Sequence, residues 1–163
     1  MINYIKIRVL TIDEFLDWSL PFLTRAQVIS GTEIEIELVK KALPLIQERI
    51  IMLSEVPAML KFLFVSDFSI ESDSVAKVSD EAAKQVLTRS LQELEPLSTW
   101  NHESIEAALR SSLIEELGLK PRIAFGAVRI ATTGSVISPP LFESMELLGK
   151  DASLARIRAA LAL

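Results

Sequence analysis

Apolar residues recur at helical spacing along almost the whole chain. Between Thr32 and Leu53 they fall at Leu38, Val39, Ala42, Ile46, Ile50 and Leu53, three or four apart, the period of one helix face. That spacing predicts a helix through this stretch, bent at Pro44, where an amide is missing and the ring meets the preceding turn. Two capping boxes mark starts. Thr11 with Glu14 and Thr32 with Glu35 each place a hydroxyl and a carboxylate three apart, ahead of apolar runs. A helix over about 12–24 is expected after the first, ended or kinked at Pro21. A shorter apolar helix follows in "VPAMLKFLF".

The pattern then loosens. Val65–Asp80, "VSDFSIESDSVAKVSD", is rich in Ser and Asp and reads as a linker. Beyond it, Ala83, Val86, Leu87 and Leu94 predict a helix near 80–94, closed by Pro96. Asn101 caps the next, with Trp100 and Ile105 in the staple positions, and Gly118 stops it. "RIAFGAVRIA" fits helix or strand by composition; helix is expected, because no strand is available to pair with it. Gly134 should end it with a positive φ. Ser138 is expected to cap a further helix with Pro139 in its first position. Gly149 should end that helix, and Asp151 should cap the last. Phe142, Leu147 and Leu148 are core candidates. The expected fold is all-α, in two small helical subdomains, 1–65 and 66–163.

Composition narrows the chemistry. There is no cysteine among 163 residues, so disulfides, thiolate metal sites and cysteine nucleophiles are excluded. The single histidine, His102, cannot form a multi-histidine metal site. Neither phosphate-loop nor dinucleotide glycine pattern is present. Glu33, Glu35 and Glu37 alternate, which spreads them around a helix start rather than pairing them. No catalytic constellation emerges, and this chain by itself is expected not to be an enzyme. No run approaches a membrane span and no targeting signal is visible, so a cytoplasmic protein is expected; a monomer is expected as well. Net charge is −5, which argues against a broad phosphate-binding surface.

The stretch Val128–Asp151, "VRIATTGSVISPPLFESMELLGKD", resembles the anticodon-binding end of bacterial glutamyl-tRNA synthetases. So do "NYIKIRVLTIDEFL", "LIQERIIMLSEVPAMLKFLF", the Trp100–Lys120 element and the closing "LARIRAALA", in the family's order. The resemblance implies a helical cage for unstacked anticodon bases, a tRNA(Glu) anticodon loop as partner, and a catalytic N-terminal domain in a longer parent chain. ATP and magnesium would belong to that parent, whose nucleotide-binding signatures are missing here; no cofactor is implied for this chain. Arg49 matches an arginine that meets the third anticodon base in relatives that reject glutamine tRNA. Arg129 matches the arginine ahead of the Thr-Gly turn. Ser138, Pro139 and Leu141 match the loop and helix start that face the anticodon. Pro140 stands where many relatives carry glycine. Two other readings compete: a helical protein-interaction module, favoured by the acidic balance, and a stand-alone paralogue that has lost tRNA.

Overall fold

The computed structural model describes residues 4–163. Two compact units divide the chain, Met1–Asp67 and Phe68–Leu163. The first holds α1 (Tyr4–Val9), α2 (Ile12–Arg25), α3 (Glu33–Ile46) and α4 (Val56–Leu60), the last flanked by single 3-10 turns. The second holds α5 (Ala76–Ser79), α6 (Glu81–Leu94), α7 (His102–Leu109), α8 (Pro121–Thr133), α9 (Leu141–Leu148) and α10 (Lys150–Leu161), with a π-helical turn at Arg110–Glu116. No strand occurs among the described residues, and no described helix is long and apolar enough to cross a membrane.

In the first unit both capping boxes form. The Glu14 amide donates to Thr11 Oγ1 at 3.2 Å while the Thr11 amide donates to Glu14 Oε2 at 2.8 Å. Glu35 Oε2 accepts from the amides of Gly31 and Thr32, both at 2.9 Å, and from Ser30 at 3.1 Å. The amides of Thr32 and Ser30 stabilise the ionised form most, which holds the Glu35 carboxyl below the usual range. Helix α2 runs through Pro21 to Arg25 instead of ending there. Asp17, whose carbonyl loses its donor, and Pro21 both lie on the exposed face, where water can serve that carbonyl. Thr24 Oγ1 donates to Leu20 and Pro21, which ties the last turn.

Helix α3, by contrast, stops at Ile46, short of the expected Leu53. Gln47 turns inward, and its Nε2 donates to the carbonyls of Ile7 and Leu10 at 2.9 Å. Ile50 and Leu53 are buried nonetheless, reached through a turn rather than a continuous helix. Phe15, Leu23, Val39, Leu43, Val56 and Leu60 complete this unit's core.

The second unit closes around Leu87, Leu94, Ile105, Leu109, Val128 and Ile157. Asp80 Oδ1 caps α6 by accepting from the Ala83 amide at 2.7 Å, and Asn101 Oδ1 caps α7 through Ser104 at 2.9 Å. The staple residue Trp100 also donates from Nε1 to the Met145 carbonyl at 2.9 Å. The π-turn tucks Ser112 inward, where its Oγ accepts from Arg89 Nε at 2.6 Å. Much of the Ser/Asp-rich stretch belongs to this unit: Val78 and Ser74 are buried and Ile70 packs on the core. Phe142 meets Phe125 edge-on at 5.2 Å, whereas Leu147 and Leu148 are only half-buried. Asp151 sits in the first turn of α10, and the cap position is Gly149, at φ 90°.

His102 Nδ1 lies 2.8 Å from Glu146 Oε2, joining the start of α7 to α9. That bond, aided by the charge of Glu103, raises its pKa above the ordinary 6.5. A raised folded-state pKa stabilises the fold while the imidazolium persists. The contribution is complete below pH 6.5 and fades as pH rises through the higher folded value. The Tm difference between wild type and His102→Ala should therefore shrink from pH 6 to pH 8; a gap that grows with pH would contradict it.

Candidate nucleic-acid interface

Helix α8 ends under close constraint. Thr132 and Thr133 return their hydroxyls to Val128 and Arg129, both at 2.8 Å. Gly134, at φ 84°, donates its amide to Ile130 at 2.8 Å, and its carbonyl accepts from the Glu71 amide at 2.9 Å. A Cβ here would lie 3.0 Å from the Ser69 carbonyl oxygen and 3.2 Å from the Phe68 ring. The segment 68–71 thus crosses directly over this glycine. Arg156 reinforces the crossing: its guanidinium lies 3.8 Å from the Phe68 ring centre, and Nη1 donates to the Thr132 carbonyl at 2.7 Å. Burial lowers its pKa to about 10, so it remains a cation at neutral pH.

Arg129 braces the following loop. Its Nη1 donates to Ser138 Oγ at 2.5 Å and to the Pro139 carbonyl at 2.9 Å. Ser138 Oγ also donates to that carbonyl at 2.8 Å, so both of its lone pairs have donors. The structure thus brings Arg129, Ser138 and Pro139 together. Ser138 is not a helix cap, however, and Pro139 is not in a first helical turn. Helix α9 begins at Leu141 with Pro140 in the cap position, without a side-chain cap bond. The reason is steric: a residue before proline is pushed out of the α region, so Pro139 cannot start a helix ahead of Pro140.

The side chains of Ser138, Pro139 and Leu141 are buried. The outer surface of the loop is instead Val136, 45% exposed, and Ile137, 72% exposed. Sequence reasoning passed over both. The available signal was two β-branched residues lacking any periodic partner, between a Gly-Ser turn and two prolines. A base could meet these two side chains and the backbone beneath them.

Arg49 belongs to the first unit. It lies in the turn after α3, not within a helix, with its amide bonded to Ile46 at 2.9 Å. The adjacent Glu48 is engaged by Arg8 at 3.2 Å. The Arg49 side chain is exposed and has no ion pair among the described residues. Ile51 and Met52, two and three residues on, are exposed. Each unit therefore carries an arginine within a few residues of exposed apolar side chains. Among the described residues there is no His, Cys, Asp and Glu cluster suited to a metal. Each region combines a guanidinium with apolar side chains at the surface.

Comparison with known proteins identifies the family. The family model described as "Anticodon binding domain" matches residues 13–161. The glutamate–tRNA ligase of Saccharopolyspora erythraea is 45% identical over 163 residues, covering 98% of this chain and 32% of that protein. The glutamate–tRNA ligase of Paenarthrobacter aurescens is 45% identical over 161 residues, covering 97% and 32%. The chain thus spans about a third of the length of the curated relatives it matches. A solved glutamate tRNA ligase from Elizabethkingia meningosepticum superposes with a TM-score of 0.75 at 19% identity, covering 98% of this chain and 31% of that one, a likeness of fold.

Proposed function

The chain belongs to the anticodon-binding domain family, and from that premise we propose that it reads the anticodon loop of tRNA(Glu) as part of a glutamate–tRNA ligase. The observation that supports this best is the braced loop. An apolar tip at Val136 and Ile137 is held out over Arg129, Ser138 and Pro139. Single-stranded RNA is read by splayed bases that meet such surfaces and nearby backbone groups. In this reading Arg129, Ser138, Pro139 and Leu141 act by fixing the loop. Aminoacylation, with ATP and magnesium, is assigned to a portion of the ligase outside this chain.

Arg49 supplies the selectivity. Anticodons for glutamate and glutamine end in cytosine and guanine. The pairing edge of cytosine offers acceptors, whereas that of guanine presents donors from N1 and N2. Arginine carries donors only. It matches cytosine, and an opposed donor pair costs ~1–3 kcal/mol, roughly tenfold or more in affinity. The chain is expected to prefer a tRNA(Glu) anticodon stem–loop to its guanine-ending counterpart by about that factor. Arg49→Gln should bring the ratio toward one, since glutamine both donates and accepts. Fluorescence anisotropy with both stem–loops measures it. Equal binding by wild type, or an unchanged ratio in the variant, removes Arg49 from this role.

A further inference from the structure

Beside the braced loop, the second unit carries a groove of about 690 Å³ between the α5–α6 junction and α8. Lys77, Arg122 and Arg129 line it against a single carboxylate, Asp80, although acidic residues outnumber basic ones 22 to 17 in the whole chain. Asp80 Oδ1 is already engaged by the α6 amide of Ala83. Lys77 and Arg122 are exposed, and neither has a side-chain partner among the described residues. The groove is thus a cationic strip on an acidic protein, with its charge uncommitted at the end away from Arg129.

Its floor is unusual. Arg122, Gly126 and Arg129 stand four and seven residues apart, so they share one face of α8 over roughly 10 Å of helix axis. Gly126 sits in the helix interior, where glycine costs stability relative to alanine. No packing requirement explains it: a Cβ at this position would meet nothing within 4 Å. The residue neither makes a turn nor admits a neighbouring helix. It leaves bare helix backbone at the bottom of the groove.

We propose that this groove is a second RNA subsite. It would take the ribose–phosphate backbone of a single-stranded nucleotide next to the bases held at the Val136–Ile137 tip, with phosphates at Lys77 and Arg122 and the sugar against Gly126. Val136 lines both the loop tip and the groove, so the two surfaces are continuous. The proposal rests on the tRNA-binding reading above and extends it to residues outside the 129–141 segment.

The test uses the whole 163-residue chain and a fluorescein-labelled tRNA(Glu) anticodon stem–loop, with affinity read across a salt series. Gly126→Leu fills the floor with a better helix former and should weaken binding by about tenfold, with Tm unchanged or raised. Lys77→Ala/Arg122→Ala should weaken it at low salt. It should also flatten the slope of log K against log salt by roughly 0.7 per cation removed. If wild type binds, and both variants keep its affinity and slope, the groove is overturned while the tRNA reading stands. If a polyglutamate peptide binds as tightly as the RNA and loses affinity in the same variants, the partner is an acidic protein and the subsite is likewise overturned. If wild type binds no stem–loop at any salt, the tRNA reading falls, and this proposal falls with it.

Discussion

Gly134→Ala is expected to destabilise the second unit by about 2–4 kcal/mol. Two costs combine. At φ 84° an L-residue occupies the left-handed region, at about 1–2 kcal/mol. The new methyl also lands 3.0 Å from the Ser69 carbonyl oxygen, which is backbone and cannot swing aside. Forcing a group into filled space costs typically 1–3 kcal/mol. A smaller unfolded-state effect of ~0.4–1 kcal/mol opposes them, because alanine has less chain entropy to lose. The substitution also strains the bond from the Glu71 amide to the Gly134 carbonyl. One tryptophan lies in each unit, so a Trp18→Phe background lets Trp100 report on the second unit alone during urea unfolding. Gly126→Ala provides the contrast: ordinary helical backbone and open space predict a gain of up to ~1 kcal/mol. Equal effects at the two glycines would refute the constraint at Gly134.

Arg129→Ala should lower affinity for the anticodon stem–loop by ten- to a hundredfold. The guanidinium donates to Ser138 Oγ and to the Pro139 carbonyl, and both acceptors belong to buried residues. A charged hydrogen bond contributes roughly 1.5–3 kcal/mol. Without it the serine can still serve the carbonyl, but the pair loses its side-chain tie to α8 and is held by packing alone. The tip residues Val136 and Ile137 then lose their position. Because α8 and its core contacts remain, Tm should fall modestly while binding falls steeply. Arg129→Lys should restore only part of the affinity, because lysine is a point charge rather than a planar fork. Wild-type affinity in Arg129→Ala would show that the brace is irrelevant to RNA; a wholly unfolded protein would show that it is a pillar of the core.

Features encoded by neighbouring residues were readable in the sequence. Both Thr–Glu capping boxes and the Asn101 cap appear in the structure as their local patterns dictated, and 121–133 is helical as the lack of a pairing strand implied. Features that depend on distant partners were not. Apolar spacing cannot tell one helix from a helix, a turn and a second helix when all bury the same residues. That is why α3 ends at Ile46 although Ile50 and Leu53 reach the core. The Ser/Asp-rich composition hid the crossing of Phe68 and Ser69 over Gly134. Ser138 has the residue type of a cap, yet the consecutive prolines move the helix start to Leu141 and leave its hydroxyl to Arg129. Near the candidate loop, the positive φ of Gly134 was legible from residue type, whereas the bonds from Arg129 to Ser138 and Pro139 were not. The exposed tip was not, because exposure there is decided by what Arg129 pulls inward.

The bracing of the loop on two sides, by Arg129 beneath and by the Phe68–Arg156 stack behind Gly134, has a kinetic consequence. A surface that is already ordered loses little conformational freedom when a ligand settles on it. The adaptation then falls to the RNA, whose bases must leave their stack before they can be received. Association should follow how readily a given anticodon loop opens, while the residence time should follow the fit of the opened bases against the protein. Purine-rich loops, which stack more strongly, would arrive slowly even where they fit well, so part of the discrimination would be exercised before contact is made.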